Sequence, residues 1–179
     1  VAEFLYMILG NFIPVARKCE DDRFADRCEV VRESLKEALN RHGWDGDWYL
    51  QATTDDGLLL GSHQNEEGKI FLMPNNWAVI SGAADEERAR TAMDSVTKYL
   101  LKDYGTLLNY PAFTKPRPDV GYVTRYAPGL RENGGVYTHA ATWSVWAYTL
   151  INQPELAYDA YRLICPPNRS GDIRTYMAE

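Results

Sequence analysis

Tyr126-Ala-Pro-Gly-Leu-Arg-Glu-Asn-Gly-Gly-Val-Tyr-Thr-His139 ends a Pro- and Gly-rich loop and runs directly into an apolar stretch, Ala140-Ala-Thr-Trp-Ser-Val-Trp-Ala-Tyr-Thr-Leu-Ile151. Residues 138–151 are apolar nearly all round, which predicts a deeply buried helix. Gly129, Gly134 and Gly135 permit φ > 0 and close backbone approach at its mouth. Arg131, Glu132, Asn133 and His139 are crowded there. A charged pair, an amide and a histidine at a helix start make a polar site. They equally describe a sharp loop-to-helix turn with a salt bridge and a capping residue.

Upstream, residues 105–137 form a long irregular connection with Pro111, Pro116, Pro118 and Pro128. Loops of that length in a compact domain are usually functional or disordered. Tyr104, Tyr110, Phe113, Tyr122, Tyr126 and Tyr137 lie in or beside it, and such an aromatic load argues for order. Aromatic faces and polar groups on one ordered loop suit sugar recognition, although the same rings also serve to anchor a loop to a core.

Around this centre the period is helical. Residues 85–103 carry Asp85, Glu86 and Glu87 in the first turn, with Ala89, Ala92, Met93, Val96 and Leu100 as an inner stripe. Residues 2–20 place Leu5, Leu9, Phe12, Ile13 and Ala16 on one face, with an awkward Pro14. Residues 23–42 place Cys28, Val31, Leu35, Ala38 and Leu39 inward and stop at Gly43. Pro154 opens a last helix, 154–164, with Leu156, Ala160, Leu163 and Ile164 inward, stopped by Pro166-Pro167. The tail from Asn168 to Glu179 is aperiodic. Residues 44–82 lack a helical period, and short strands are expected at 48–53 and 69–72. The fold expected is mainly α: helical pairs, as a bundle or part of an (α/α) toroid, with a short β-rich or irregular insert at about 44–82.

Composition narrows the function. A net charge of −6 disfavours a nucleic-acid backbone partner, which wants a basic face. No apolar run approaches the length of a membrane span, and no signal peptide is recognisable. Starting at Val1 and entering a helix at once, the sequence looks like a piece of a longer or processed protein. Cys19, Cys28 and Cys165 have no metal or disulfide spacing and are expected as packing residues in a reducing compartment. P-loop, GxGxxG, HExxH and GxSxG motifs are absent. His42, His63 and His139 are far apart in sequence, so no metal or cofactor is expected. Asp45/Asp47 and Asp55-Asp56 are explained by turn chemistry at least as well as by catalysis. Glu66 and Glu67, beside Lys69, form either a solvated turn or the wall of a site.

Several segments together resemble glycoside hydrolase family 94: Gly43-Trp-Asp-Gly-Asp-Trp-Tyr-Leu, Asp55-Asp-Gly, Gly61-Ser, Asn65-Glu-Glu-Gly-Lys-Ile-Phe, Trp77-Ala-Val-Ile-Ser-Gly and Arg131-Glu-Asn-Gly-Gly-Val-Tyr-Thr-His-Ala-Ala. That family contains cellobiose, chitobiose and cellodextrin phosphorylases and the phosphorylase-like part of cyclic β-1,2-glucan synthases. The resemblance implies that residues 1–179 are a single fragment of an (α/α)6 barrel catalytic domain. It further implies inverting phosphorolysis of a β-linked disaccharide or oligosaccharide, with inorganic phosphate as co-substrate and an α-sugar 1-phosphate as product. Phosphate is already an anionic nucleophile, so one carboxylic acid suffices, unlike the two-carboxylate scheme of inverting hydrolases. By the same resemblance Glu132 binds the donor sugar, Arg131 and Tyr126 lie near the acceptor sugar, and His139 contacts phosphate. The family's general-acid aspartate motif and its Thr-Gly phosphate loop have no match here, so no catalytic residue is assigned in this chain and the fragment alone is expected to be inactive. A cytoplasmic enzyme, homodimeric at full length, is implied. Two alternatives are a toroidal hydrolase with Glu66 or Glu67 as base, and a sugar-binding module without catalysis. A partial toroid is also expected to expose apolar faces.

Overall fold

The structure, a computed structural model, describes residues 1–169, so the aperiodic tail lies outside the described residues from position 170 onward. The chain is mainly helical. It opens with α1 (Ala2–Lys18) and α2 (Asp22–His42), which pack as a pair. Asp21 caps α2 by accepting from Phe24 N at 3.1 Å, a bond expected to contribute about 1 kcal/mol. At the turn, Arg17 reaches Asp22, Asp26 and Glu29 at 3.3, 3.1 and 2.8 Å. These groups are solvent-exposed, so the network is a modest contributor.

After α2 run β1 (Ala52–Thr53), β2 (Leu59–Leu60), β3 (Ile70–Phe71) and then α3 (Leu72–Ile80). The expected insert at 44–82 is therefore irregular with short strands only to residue 71, and its last part is a helix. α3 hides from periodicity because Leu72, Pro74, Asn75, Asn76, Ala78, Val79 and Ile80 are all buried, leaving no polar face to alternate with. Pro74 is tolerated because it lies in the first turn. α4 (Glu86–Tyr99) ends sooner than the sequence suggests. After it the chain folds into a tight hairpin, β4 (Leu101–Lys102) and β5 (Gly105–Thr106), followed by β6 (Asn109–Tyr110). β6 returns to pair antiparallel with β3, with Ile70 opposite Tyr110 and Phe71 opposite Asn109. A short 3-10 turn (Tyr122–Arg125) interrupts the long loop. α5 (Thr138–Leu150) and α6 (Pro154–Ile164) form a second pair, and Pro166 begins a four-residue helix, α7 (Pro166–Arg169).

The core lies between α3, α4, α5 and α6. Trp48, Tyr148, Ile70, Leu72, Met93 and Leu100 are its largest fully buried members, all at most 1% exposed. The predicted stripe of α4 is buried throughout. Asn76 Nδ2 donates to Ser144 Oγ at 3.0 Å, tying α3 to α5 inside the core. Two other stripes differ from expectation. Leu5 and Phe12 of α1 and Val31 of α2 are exposed, and α5 is not covered all round, since Trp146 and Leu150 are exposed. The apolar residues are where the period puts them, but α1 packs through Glu3, Tyr6 and Ala16 instead. Arg32 lies over the Tyr6 ring at 4.0 Å.

Candidate functional site

The loop from Pro111 to Tyr137 has almost no ladder to hold it, so its main-chain polar groups need other partners. Buried asparagines supply them. Asn133, 0% exposed, accepts from Phe113 N at 2.7 Å and donates to Phe113 O and Tyr126 O, both at 2.8 Å. Asn109 accepts from Gly134 N at 2.8 Å. An isolated bridge, Leu107 to Val136, joins the loop's end to the strand region before α5 begins. The turn itself is tight: Gly129 N bonds Asn133 O at 2.8 Å and Gly135 N bonds Arg131 O at 3.1 Å. Arg131 has φ +51, which is costly for a residue with a Cβ and typical of sites where the surroundings over-determine the backbone. A Cβ on Gly135 would overlap the Arg131 carbonyl, so that position is restricted to glycine by close approach.

This turn brings together the candidate residues. Arg131 Cζ stands over the Tyr126 ring at 4.9 Å, and Tyr122 meets Tyr126 edge-on at 5.4 Å. Arg131 Nε is 3.6 Å from Glu132 Oε2. Glu132 Oε1 accepts from the Tyr137 hydroxyl at 2.9 Å. Oε2 is shielded from solvent and, beside the Arg131 ion pair, accepts no hydrogen bond among the described residues, on an otherwise half-exposed side chain. The Glu132 carboxyl is held below its ordinary value, first by its own main-chain N–H, next by the Tyr137 hydroxyl, and less by Arg131. The Arg131 guanidinium is correspondingly raised, chiefly by Tyr126 and then by Glu132. Both groups are therefore charged across the neutral range. An ionised carboxylate, a planar guanidinium and a tyrosine edge are groups able to hold sugar hydroxyls.

Tyr137 continues the face to His139. Their rings meet edge-on at 5.3 Å, and His139 meets Trp143 in the same way at 5.1 Å. Trp143 in turn contacts Trp77 at 5.1 Å, so the ring ladder runs from α5 into α3. His139 is exposed in the first turn of α5. That helix has no side-chain cap at its N-terminus, which leaves its first N–H groups without a side-chain acceptor. Uncapped N–H groups, the helix dipole and an imidazole together favour an anion.

The remaining candidates are placed elsewhere. His63 lies between two carboxylates, with Nδ1 3.0 Å from Asp45 Oδ2 and Nε2 3.3 Å from Asp47 Oδ2, and it stacks on Trp48 at 3.7 Å. Trp48 Nε1 donates to Gly61 O at 2.7 Å. This cluster fastens the insert to the core rather than joining the site. Among the described residues, no group of three His, Cys, Asp or Glu is placed to hold a metal ion. Glu66 is exposed, whereas Glu67 Oε1 accepts from Thr114 N at 3.1 Å and from Thr114 Oγ1 at 2.5 Å. Sequence reasoning missed the supporting role of Asn133, Tyr137, Asn109 and Glu67: it reads Asn133 as a polar-site group, Tyr137 as one of the loop's aromatics and Glu67 as a site wall or base, and gives Asn109 no role. Their only signals were an Asn before Gly-Gly, one tyrosine among several, and an acidic turn.

All of residues 1–179 match the family model described as glycosyl hydrolase 94 superfamily, catalytic domain. The chain is 35% identical over 176 residues to N,N'-diacetylchitobiose phosphorylase of Vibrio furnissii, covering 97% of this chain and 22% of that protein. It is 37% identical over 163 residues to solabiose phosphorylase of Paenibacillus borealis, covering 90% of this chain and 21% of that protein. It is also 39% identical over 165 residues to cyclic beta-(1,2)-glucan synthase NdvB of Rhizobium meliloti (strain 1021), covering 91% of this chain and 6% of that protein. The chain thus spans only about a fifth, or less, of the length of these curated relatives.

Proposed function

The chain belongs to the glycosyl hydrolase 94 superfamily, and from that premise we propose that it forms part of an inverting β-glycoside phosphorylase. Residues 1–179 then contribute one sector of an (α/α)6 barrel. The exposed apolar residues of the α1–α2 pair, Phe4, Phe12, Val15, Phe24 and Val30, and those of α5 and α6, Trp146, Leu150 and Tyr158, are consistent with two faces onto which further helices pack. In the reaction, a phosphate oxygen attacks the anomeric carbon of a β-linked glucoside from the α face. The bond from that carbon to the leaving sugar breaks, and a carboxylic acid protonates the leaving oxygen. The products are an α-sugar 1-phosphate and a shortened sugar.

One observation carries this reading. A single tyrosine, Tyr137, spans from a carboxylate suited to sugar hydroxyls to a histidine at an uncapped helix mouth suited to phosphate. Glu132 binds the donor sugar. Arg131 and Tyr126 line the acceptor side, and His139 contacts the phosphate. The general acid comes from elsewhere in the full-length protein. A depressed carboxyl such as Glu132 holds its proton too weakly to protonate a leaving group near neutral pH. Inorganic phosphate is the co-substrate and needs no resident cofactor. The unpaired Cys19, Cys28 and Cys165 fit a cytoplasmic enzyme, and we expect a homodimer. The engagement of Glu67 with Thr114 weighs against its use as a hydrolytic base.

The test uses the full-length protein, α-glucose 1-phosphate and a panel of acceptor sugars, following phosphate release. Release with at least one acceptor is expected, and His139→Ala should raise the KM for phosphate in the reverse direction by about tenfold or more, the worth of one lost charge-assisted contact. A folded wild-type protein that releases no phosphate with any acceptor, but hydrolyses a β-glucoside with water, would refute the phosphorylase.

A further inference from the structure

We propose that Glu67 is a positioning residue for the sugar-binding face: its carboxylate fixes residues 113 and 114, on which Asn133 seats the turn that carries Tyr126, Arg131 and Glu132. The substrate named in the kinetic readout below rests on the phosphorylase reading; the geometry does not.

Glu67 stands in the turn just before β3, 47 positions from Thr114 in sequence. One of its oxygens accepts two hydrogen bonds from Thr114, from the main-chain N–H at 3.1 Å and from the side-chain hydroxyl. Hydrogen bonds to an ionised acceptor are about twice as strong as neutral ones. The next residue, Gly68, donates its N–H to Pro111 O at 2.7 Å. Gly68 also lies beneath the Phe113 ring so closely that a Cβ there would overlap it, and Phe113 is 1% exposed. The turn 67–68 therefore grips residues 111, 113 and 114 at three points.

From the other side, Asn133 takes both main-chain polar groups of Phe113 and the carbonyl of Tyr126. Phe113 is thus held between Glu67–Gly68 and Asn133. Arg131 and Glu132 are the two residues before Asn133, and Tyr126 is one of its partners, so the three sugar-side groups inherit their position from this clamp. His139 does not. The residues leading to it are tied by Asn109 to Gly134 and by the bridge from Leu107 to Val136, neither of which involves Glu67. Loosening Glu67 should disturb the sugar side and leave the helix mouth in place.

That asymmetry makes the test. In the full-length protein, Glu67→Ala should raise the acceptor-sugar KM about tenfold, as expected for losing a charge-assisted pair of contacts. The KM for inorganic phosphate in phosphorolysis should stay within about twofold, since its contacts are not removed. Glu67→Gln keeps a carbonyl oxygen that accepts both Thr114 donors, and it should restore most of the acceptor affinity. Thr114→Val added to Glu67→Ala should add little, because both changes break the same contact. Hydrogen exchange gives a readout independent of activity: peptides covering 111–114 should lose protection in Glu67→Ala while those covering 107–109 keep it. An unchanged acceptor KM with unchanged exchange overturns the proposal. So does a Glu67→Gln variant as impaired as Glu67→Ala, which would mean that the charge itself is used. If the wild-type protein releases no phosphate, the phosphorylase reading fails, and the exchange pattern alone then decides the role of Glu67.

Discussion

Removing the Asn133 side chain isolates how much of the site turn depends on one amide. Asn133→Ala leaves three main-chain groups without their partner: Phe113 N–H, Phe113 C=O and Tyr126 C=O. The first two are buried, whereas the third is only partly so. An unsatisfied buried polar group costs about 1–3 kcal/mol. Two such penalties, with some relief from water entering the vacated space, give a local loss of about 3 kcal/mol. Asn133→Asp is nearly the same shape, yet it should do no better at neutral pH. One oxygen still accepts from Phe113 N–H, but the other then faces two carbonyl oxygens, and ionisation is disfavoured by burial. Protonation supplies one donor for two acceptors, so the Asp variant should recover partly as pH falls. The assay is native-state hydrogen exchange on the full-length protein, reading opening free energies from peptides over 111–116 with α4 as an internal control. A drop at 111–116 of less than about 1 kcal/mol in Asn133→Ala, below the cost of one orphaned group, would refute the clamp.

Two further outcomes follow from the same geometry. Glu132 has a depressed carboxyl, so what depends on its charge is complete above the unfolded-state value of about 4.3 and is lost only as pH falls through the lower folded value. Tyr137→Phe removes the second-largest cause and should move the acid limb of kcat/KM for the sugar upward, towards the ordinary glutamate range; an unmoved limb would show that the hydroxyl does not tune Glu132. At Gly68, φ is +59 and an added Cβ meets the Phe113 ring. Gly68→Ala should therefore cost about 2–4 kcal/mol from left-handed strain and overpacking together, seen as earlier urea unfolding and faster exchange at 111–114. Wild-type exchange there would mean that the ring moves aside freely.

The fold was legible wherever one helix face is wet. α4 alternates charged and apolar residues, and its predicted stripe is the buried one. α3 failed the same reading because its less buried residues, Met73 and Trp77, are themselves apolar and it ends in Val79-Ile80, residues that equally suit a strand. The hairpin at 101–106 uses strands of two residues, too short for any period to register. α1 teaches the converse. Its period correctly gives a helix, but a period reports only which residues share a face. Whether that face is covered depends on what lies opposite, and Leu5 and Phe12 are exposed among the described residues.

The candidate site divides in the same manner, between chemistry that is local and support that is not. Tyr126, Arg131, Glu132 and His139 lie within one short stretch, and a motif can mark them. Their supports are distant: Asn133 reaches Phe113 across 20 positions and Glu67 reaches Thr114 across 47. An asparagine before two glycines is as good a turn residue as it is a clamp, and nothing local separates the two. The distinction matters for assigning roles. Two carboxylates flank this loop, and on residue type alone either suits acid or base catalysis. The structure gives each a different task. Glu67 is engaged by two Thr114 donors, which suits holding a loop. Glu132 has one oxygen fixed by Tyr137 and the other ion-paired with Arg131 without a hydrogen bond, with its proton affinity lowered. Lowered proton affinity is wrong for protonating a leaving oxygen and right for accepting hydrogen bonds from a sugar without changing charge. On those grounds, in the proposed phosphorylase, Glu132 is assigned to binding and Glu67 to support, and the leaving oxygen's proton is expected from a group whose surroundings raise its pKa instead.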